Sequence, residues 1–136
     1  MGRSGYVDDY DEEDYPNAVY LWQRAVENAI AGRRGQAFLH EMLEALEAMP
    51  VKRLIAEELE QDGEVCAIGS VGRKRGIDMK PLDPENHKAI AKTFRIAPIL
   101  VREIEYTNDD DFAFNEETPE QRYERVVKWV REQIKP

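Results

Sequence analysis

The stretch Asp62-Gly63-Glu64-Val65-Cys66-Ala67-Ile68-Gly69 decides how the middle of this chain folds. Asp-Gly is a tight-turn signal, and the small residues that follow suit the closely packed start of a helix. About forty residues further on, an apolar run ends in Tyr106-Thr107-Asn108-Asp109, whose polar side chains can cap nearby backbone groups. The two motifs together predict the two halves of one buried junction.

Apolar residues recur at helical spacing on both sides of this junction. Pro16-Asn17 opens a first helix, Gly32-Arg33-Arg34-Gly35 breaks it, and a second helix runs on until Pro50 stops it. The short connection between the two favours an antiparallel helical hairpin. We therefore expect a mainly α protein, built as a compact bundle of about five helices.

Capping signals mark the later helices. A short helix over residues 67–75 is predicted to end at Gly76 in the left-handed conformation. Asp83-Pro84-Glu85 predicts the start of a further helix, and Pro98 predicts the start of the next one. Thr118-Pro119-Glu120-Gln121 has the pattern of a capping box and predicts the start of the last helix.

Residues 51–66 fit two structures. Their composition suits a short helix, whereas the turn signal Gln61-Asp62-Gly63-Glu64 suits a two-stranded hairpin. The turn signal favours one small β-hairpin near residues 53–66.

At 136 residues the chain is long enough to bury one core, and we expect a single helical domain over residues 16–136. Residues 1–15 form an acidic arm that has little to bury and is expected to be disordered or loosely docked. This arm is interpreted either as a solvated tail or as a segment that attracts a basic partner. Its acids are Asp8, Asp9, Asp11, Glu12, Glu13 and Asp14.

The overall composition excludes several functional classes. Acids outnumber bases 28 to 19, and the net charge of −9 argues against direct binding of nucleic acid. The single cysteine permits no internal disulfide and fits a reducing, cytoplasmic compartment. Apolar runs are too short to span a membrane, and the N-terminal residues have no apolar signal core, so we expect neither insertion nor export.

Cys66, His87 and Asn108 follow one another in the chain order of papain-like proteases. The sequence around the cysteine lacks the signature of those enzymes, and a free cysteine is among the residues most often buried. We interpret Cys66 as interior packing and assign no catalytic residue. No metal site is expected either, because the acidic run from Asn108 has Ala113 where an EF-hand needs glycine. No cofactor is expected.

Residues 107–117 are expected to form an acidic loop, in which Phe112 and Phe114 alternate with polar residues. The two rings can hook a partner or pin the loop to the core. The candidate partner contacts are the acids of the arm together with Asp109, Asp110, Asp111, Phe112 and Phe114.

Two glycine-flanked basic clusters allow an alternative function. Arg33 and Arg34 form one, and Arg73, Lys74 and Arg75 form the other. Guanidinium groups beside glycine can grip phosphate, which suits a small-ligand or nucleotide-binding protein. Basic residues followed by glycine are also typical of helix C-termini, and both interpretations stay open.

Several motifs resemble a family of small uncharacterised bacteriophage and prophage proteins. Its Cys-Ala-Ile-Gly and Asn-Asp motifs match Cys66–Gly69 and Asn108-Asp109. The further matching stretches are Arg3–Tyr6, Arg34–Leu39, Met49–Leu54, Arg75–Met79 and Glu117–Arg122. The resemblance implies an accessory protein of a mobile genetic element that acts inside a bacterial cell. We expect it to bind a host or phage protein through its acidic surface, as an inhibitor of a host defence system, rather than to catalyse a reaction.

Overall fold

The computed structural model describes residues 3–4, 16–109 and 117–136. Within these ranges the chain is mainly helical with one two-stranded antiparallel hairpin, which confirms the predicted fold class. The described elements are α1 (Pro16–Ala31), α2 (Arg33–Ala48), β1 (Glu60–Gln61), β2 (Glu64–Val65), α3 (Ala67–Arg75), α4 (His87–Phe94), α5 (Pro98–Asp109) and α6 (Pro119–Gln133). None of the described helices is long and apolar enough to cross a bilayer.

Local signals set the ends of α3 and α6. Gly76 ends α3 at φ 73°, in the left-handed region that glycine enters without steric cost. Thr118 and Gln121 form the reciprocal capping box at the start of α6. Both predicted boundaries are confirmed. They were predictable because the groups that fix each one lie within one helical turn of it.

Two other boundaries differ from the sequence prediction. Helix α4 begins at His87 rather than at Asp83-Pro84-Glu85. The Asp83 carboxylate accepts from the Glu85 N–H in a preceding turn, and the Asn86 side chain caps the helix instead. Helix α5 continues through Asn108 and Asp109, so the prediction of a loop from residue 107 is wrong at its start.

The β-hairpin packs on the first turn of α3. Glu60 pairs with Val65, and the turn residues Asp62 and Gly63 both have positive φ, as a tight hairpin turn requires. The Leu59 carbonyl lies so close to Gly69 that a Cβ there would stand 2.0 Å from its oxygen. Only glycine therefore allows the strand and the helix to approach this closely.

One hydrophobic core joins the helices, with α5 contributing fully buried side chains at its centre. The largest side chains with almost no exposure are Leu39, Met42, Leu46, Leu54, Ile68, Ile90, Phe94, Leu100 and Ile104. The core fixes the C-terminal end of α5 against the N-terminal end of α3. Buried polar side chains, among them Arg3, Glu105 and Asn108, lie at this place.

Candidate functional site

The junction predicted from the two motifs is present. Asn108, in the last turn of α5, accepts a hydrogen bond from the Ala67 N–H at the start of α3 through its Oδ1 atom, at 3.1 Å. Its amide nitrogen donates to the Ile55 carbonyl at 2.9 Å. Asn108 is fully buried, so these bonds satisfy groups that water cannot reach. The prediction of one buried junction is confirmed.

Two arginines of α6 close the C-terminal end of α5. Arg122 Nε and Arg125 Nη2 donate to the Asn108 carbonyl at 3.0 and 3.1 Å, and Arg125 also donates to the Thr107 carbonyl. Positive charge beside the last carbonyls of a helix is favourable because the helix dipole is negative there. This arrangement holds the last turn of α5 in place and directs Asp109 towards the N-terminal residues.

Arg3 fills the polar space between α3 and α5. Its Nε and Nη2 atoms donate to the two Asp109 oxygens at 2.6 and 3.0 Å, in the two-pronged geometry that suits guanidinium and carboxylate. Its Nη1 atom lies 3.7 Å from Cys66 Sγ and 3.4 Å from Glu105 Oε2. The Arg3 and Asp109 side chains are only 1% and 0% exposed, so the pair is shielded from solvent.

The main chain of Arg3 and Ser4 is also held. His87 Nε2 lies 2.6 Å from the Arg3 carbonyl and must carry the proton, because a carbonyl oxygen only accepts. Arg102 Nε donates to the Ser4 carbonyl at 2.8 Å, and the Arg3 N–H donates to Glu57 Oε2 at 3.4 Å. We call the groups around this dipeptide the Arg3 receptacle, formed by Glu57, Cys66, His87, Arg102, Glu105 and Asp109.

Burial sets the protonation states in the Arg3 receptacle. It raises the pKa of Glu105 to about 8, and the Arg3 charge only partly opposes this rise. It lowers the pKa of His87, and the nearby charges of Arg102 and Arg3 act in the same direction. At neutral pH Glu105 and His87 are therefore mainly uncharged, and the ion pair of the Arg3 receptacle is the one between Arg3 and Asp109.

Glu57, a member of the Arg3 receptacle, has a strained backbone conformation. Its φ of 70° lies in the left-handed region, which is unfavourable for a residue with a Cβ. The Glu57 N–H donates to Asp109 Oδ1 at 3.2 Å, so the same carboxylate that binds Arg3 also holds this turn.

Cys66 is interior, as the sequence indicated. It has no exposed surface, and burial raises the pKa of its thiol, with Arg3 and the Gly69 N–H offsetting only part of the rise. Its sulfur accepts from the Gly69 N–H at 3.3 Å and thereby caps α3. The Arg3 guanidinium contacts the Cys66 sulfur, and the Arg3 carbonyl accepts from His87. Cys66 and His87 therefore both bind Arg3.

The structure corrects one candidate partner contact. Asp109 was predicted to lie on an acidic surface, but its side chain is fully buried and binds Arg3 and the Glu57 N–H. It cannot present a charge to a partner while Arg3 occupies this position. The other predicted contacts lie outside the described residues; they are Asp8, Asp9, Asp11, Glu12, Glu13, Asp14, Asp110, Asp111, Phe112 and Phe114.

The basic clusters of the alternative function lie at helix ends. Arg33 and Arg34 are exposed in the first turn of α2. Arg73, Lys74 and Arg75 form the last turn of α3, where each lies within ion-pair distance of an acid. The acids are Glu60, Glu44 and Glu41, respectively. Acids beside three of the five cations disfavour the binding of an anion there.

Sequence reasoning missed Arg3 and Glu105 as site residues, and it considered His87 only in the Cys-His-Asn order that it set aside. Glu105 and Asp109 are four residues apart on α5, a spacing that places both carboxylates on one helix face. That spacing could have predicted a paired-carboxylate site on α5. The arginine that contacts both carboxylates could not be predicted, because it lies more than one hundred residues away in the sequence.

The part of the chain that the structure describes contains no group of three or more His, Cys, Asp or Glu side chains arranged to hold a metal ion. The chain matches no protein-family model, no curated protein and no solved structure.

Proposed function

We propose that this protein acts by binding another protein, as a phage-encoded accessory protein in the cytoplasm of a bacterial host. The observation that carries the proposal is the seating of Arg3 against Cys66 and Asp109. The side chains most suited to chemistry hold the N-terminal residues in place, and the thiol is buried with a raised pKa. A thiolate nucleophile needs the opposite environment, namely exposure and a lowered pKa.

The exterior supports the binding role. Helix α1 presents exposed apolar side chains, with Tyr20 and Leu21 about two-thirds exposed and Trp22 about one-third exposed. In the sequence these residues follow the acidic run of residues 8–14. Aromatic and aliphatic side chains at a surface favour protein contacts, and neighbouring charge sets the encounter rate and the preference among partners. A partner that offers a basic, partly apolar groove matches this combination.

The resemblance to phage proteins supports the cellular setting. An acidic protein made during infection can occupy a groove that normally takes nucleic acid, and so block a host defence system. This role needs no catalytic group and no bound metal. It makes the acids of residues 8–14 and 110–111 the ones that attract the partner, whereas Asp109 binds Arg3.

Affinity capture tests the proposal. The tagged full-length chain is incubated with lysate of an infected or lysogenic host, and the proteins retained are identified by mass spectrometry. We expect one partner at stoichiometric level. Asp→Asn and Glu→Gln changes across residues 8–14, or at Asp110 and Asp111, are expected to abolish its capture. Asp109 must stay unchanged in these variants, because altering it would disturb the fold rather than the surface.

A matched control separates charge from apolar contact. Leu21→Ser removes exposed apolar surface from α1 without changing charge, and Val51→Ser removes exposed apolar surface outside α1, also without changing charge. We expect the first to weaken capture and the second to leave it unchanged. Capture that survives neutralisation of the acids of residues 8–14 and 110–111 would refute the charge-based mechanism.

A further inference from the structure

We propose that the Arg3 receptacle is a binding site for an arginine-bearing peptide segment, and that residues 3–4 are its internal occupant. The inference deepens the binding role proposed above, on which it rests, because it names the chemistry of the partner. The ligand class is a guanidinium side chain carried on an extended main chain, as Arg3-Ser4 presents it.

The contacts recognise a peptide and not merely a charge. Asp109 binds the guanidinium with both oxygens, which distinguishes arginine from lysine. Glu57 accepts from the N–H of the same residue, and His87 and Arg102 bind the two successive carbonyls. Side chain, amide and carbonyl groups of a two-residue segment are thus all matched by separate partners.

Glu105 indicates that Arg3 does not use the full capacity of the site. Its side chain is 0% exposed and points to the guanidinium, yet neither of its oxygens accepts a hydrogen bond. The nearest cationic atom, Arg3 Nη1, is 3.4 Å away, and His87 Nε2 lies 3.0 Å from the other oxygen but donates to the Arg3 carbonyl. A guanidinium seated closer to α5 would gain a charge-assisted hydrogen bond that Arg3 lacks.

A cavity adjoins the part of the Arg3 receptacle that binds the main chain of the dipeptide. It has a volume of about 470 Å³, and its lining includes His87 and Arg102, the two residues that hold the Arg3 and Ser4 carbonyls. The cavity lining carries charges of both signs, because Asp83 and Glu85 lie there together with Lys88 and Arg102.

Chemical complementation of the full-length Arg3→Ala variant tests the inference. This change leaves a vacancy of guanidinium shape among Asp109, Glu105 and Cys66. The probes are methylguanidinium, with methylammonium as its control, and the peptide Met-Gly-Arg-Ser-Gly-Tyr of residues 1–6, with a matched peptide carrying lysine at its third position. The readout is the thermal unfolding midpoint, because a ligand that binds only the folded state raises it.

We expect the arginine peptide to raise the unfolding midpoint of Arg3→Ala and to bind at least about tenfold more tightly than the lysine peptide. It should also bind Arg3→Ala more tightly than the unchanged protein, in which Arg3 competes. Rescue by methylguanidinium without tighter binding of the peptide would overturn the peptide assignment. No stabilisation by either probe would overturn the site altogether.

A second variant covers the case in which Arg3→Ala does not fold. Arg3→Lys retains a positive charge near Asp109 but loses the two-pronged bond, so the arginine peptide should displace the lysine and raise the midpoint. The lysine peptide should not, and equal effects of the two peptides would contradict the inference. These measurements use no cellular partner, so their failure is distinguishable from a failure of lysate capture, which alone tests the protein-binding role.

Discussion

Two arginine–carboxylate pairs with almost the same geometry lie in different environments of this molecule. Arg3 binds Asp109 through two bonds of 2.6 and 3.0 Å, and Arg75 binds Glu41 through two bonds of 2.9 and 2.6 Å. The first pair has side chains 1% and 0% exposed, whereas those of the second are 30% and 25% exposed. Burial, rather than bond length, therefore distinguishes them.

The comparison shows how differently the two pairs depend on each partner. An exposed pair remains hydrated when one member is removed and contributes about 0–1 kcal/mol. A buried pair leaves an uncompensated charge when one member is removed, at a cost of about 3–5 kcal/mol. The buried arginine belongs to the N-terminal residues, so the stability of the domain should depend on a segment that its helices do not contain.

Replacing Arg3 should have the largest effect. We expect Arg3→Ala to lower the free energy of unfolding by about 3–5 kcal/mol, since the buried Asp109 carboxylate then lacks its cation. Denaturant titration followed by circular dichroism measures this change. Arg24→Ala, at an exposed position of α1, is the control and should shift the free energy by less than about 0.5 kcal/mol. Equal shifts in the two variants would show that Arg3 is not seated as described.

The pH dependence of stability should reveal Glu105. Its pKa is raised from 4.5 to about 8 in the folded protein, so the folded state holds the proton more tightly than the unfolded state does. Its contribution is complete below pH 4.5 and is lost as the pH rises through about 8. We expect Glu105→Gln to flatten the fall in unfolding free energy over this interval by a few kcal/mol.

His87 acts in the opposite sense and serves as an internal check. Its lowered pKa gives a contribution that is present above its ordinary value of 6.5 and is lost as the pH falls. In Glu105→Gln a loss of stability should remain as the pH falls below 6.5, because His87 is still present. A slope between pH 5 and 8 that is the same with and without Glu105 would contradict the assigned protonation state.

Removing Asn108 should have an intermediate effect. Asn108→Ala leaves the Ala67 N–H and the Ile55 carbonyl buried without their partner, which costs about 1–3 kcal/mol. Asn86→Ala removes the exposed cap of α4 and should cost only about 1 kcal/mol. Chemical denaturation of both variants compares the buried and the exposed asparagine. A greater loss for Asn86 would reverse the assignment of the junction to the core.

Replacing Arg75 should have the smallest effect. Its guanidinium carbon lies 5.9 Å from the Phe38 ring centre and 5.7 Å from that of Phe94, in addition to the pair with Glu41. These contacts are partly hydrated, so we expect Arg75→Ala to lower the free energy of unfolding by no more than about 1 kcal/mol. A thermal melt at low and at high salt measures it, and a loss comparable to that of Arg3→Ala would remove the distinction between the two pairs.

The local parts of the fold were predictable from the sequence. The Asp62-Gly63 turn, the Gly76 end of α3 and the Thr118 capping box are each fixed by groups a few residues apart. The start of α4 was predicted wrongly because Asp83 and Asn86 are both competent caps, and the local pattern did not distinguish them.

The Arg3 receptacle was only half predictable. The sequence indicated that Cys66 and Asn108 belong to one buried junction, but it placed Asp109 in an exposed loop. Nothing local shows that Asp109 is neutralised by Arg3, because the pairing depends on how α3 and α5 pack. The same packing buries Glu105, which looks like an ordinary surface residue of an amphipathic helix when the sequence is considered alone.

Paired double-mutant cycles test the seating of Arg3 most directly. One cycle combines Arg3→Ala with Asp109→Asn, and the other combines Arg75→Ala with Glu41→Gln, with the free energy of unfolding measured for every variant. We predict a coupling energy above about 2 kcal/mol for the buried pair and below about 1 kcal/mol for the exposed pair. A coupling energy near zero between Arg3 and Asp109 would contradict the account.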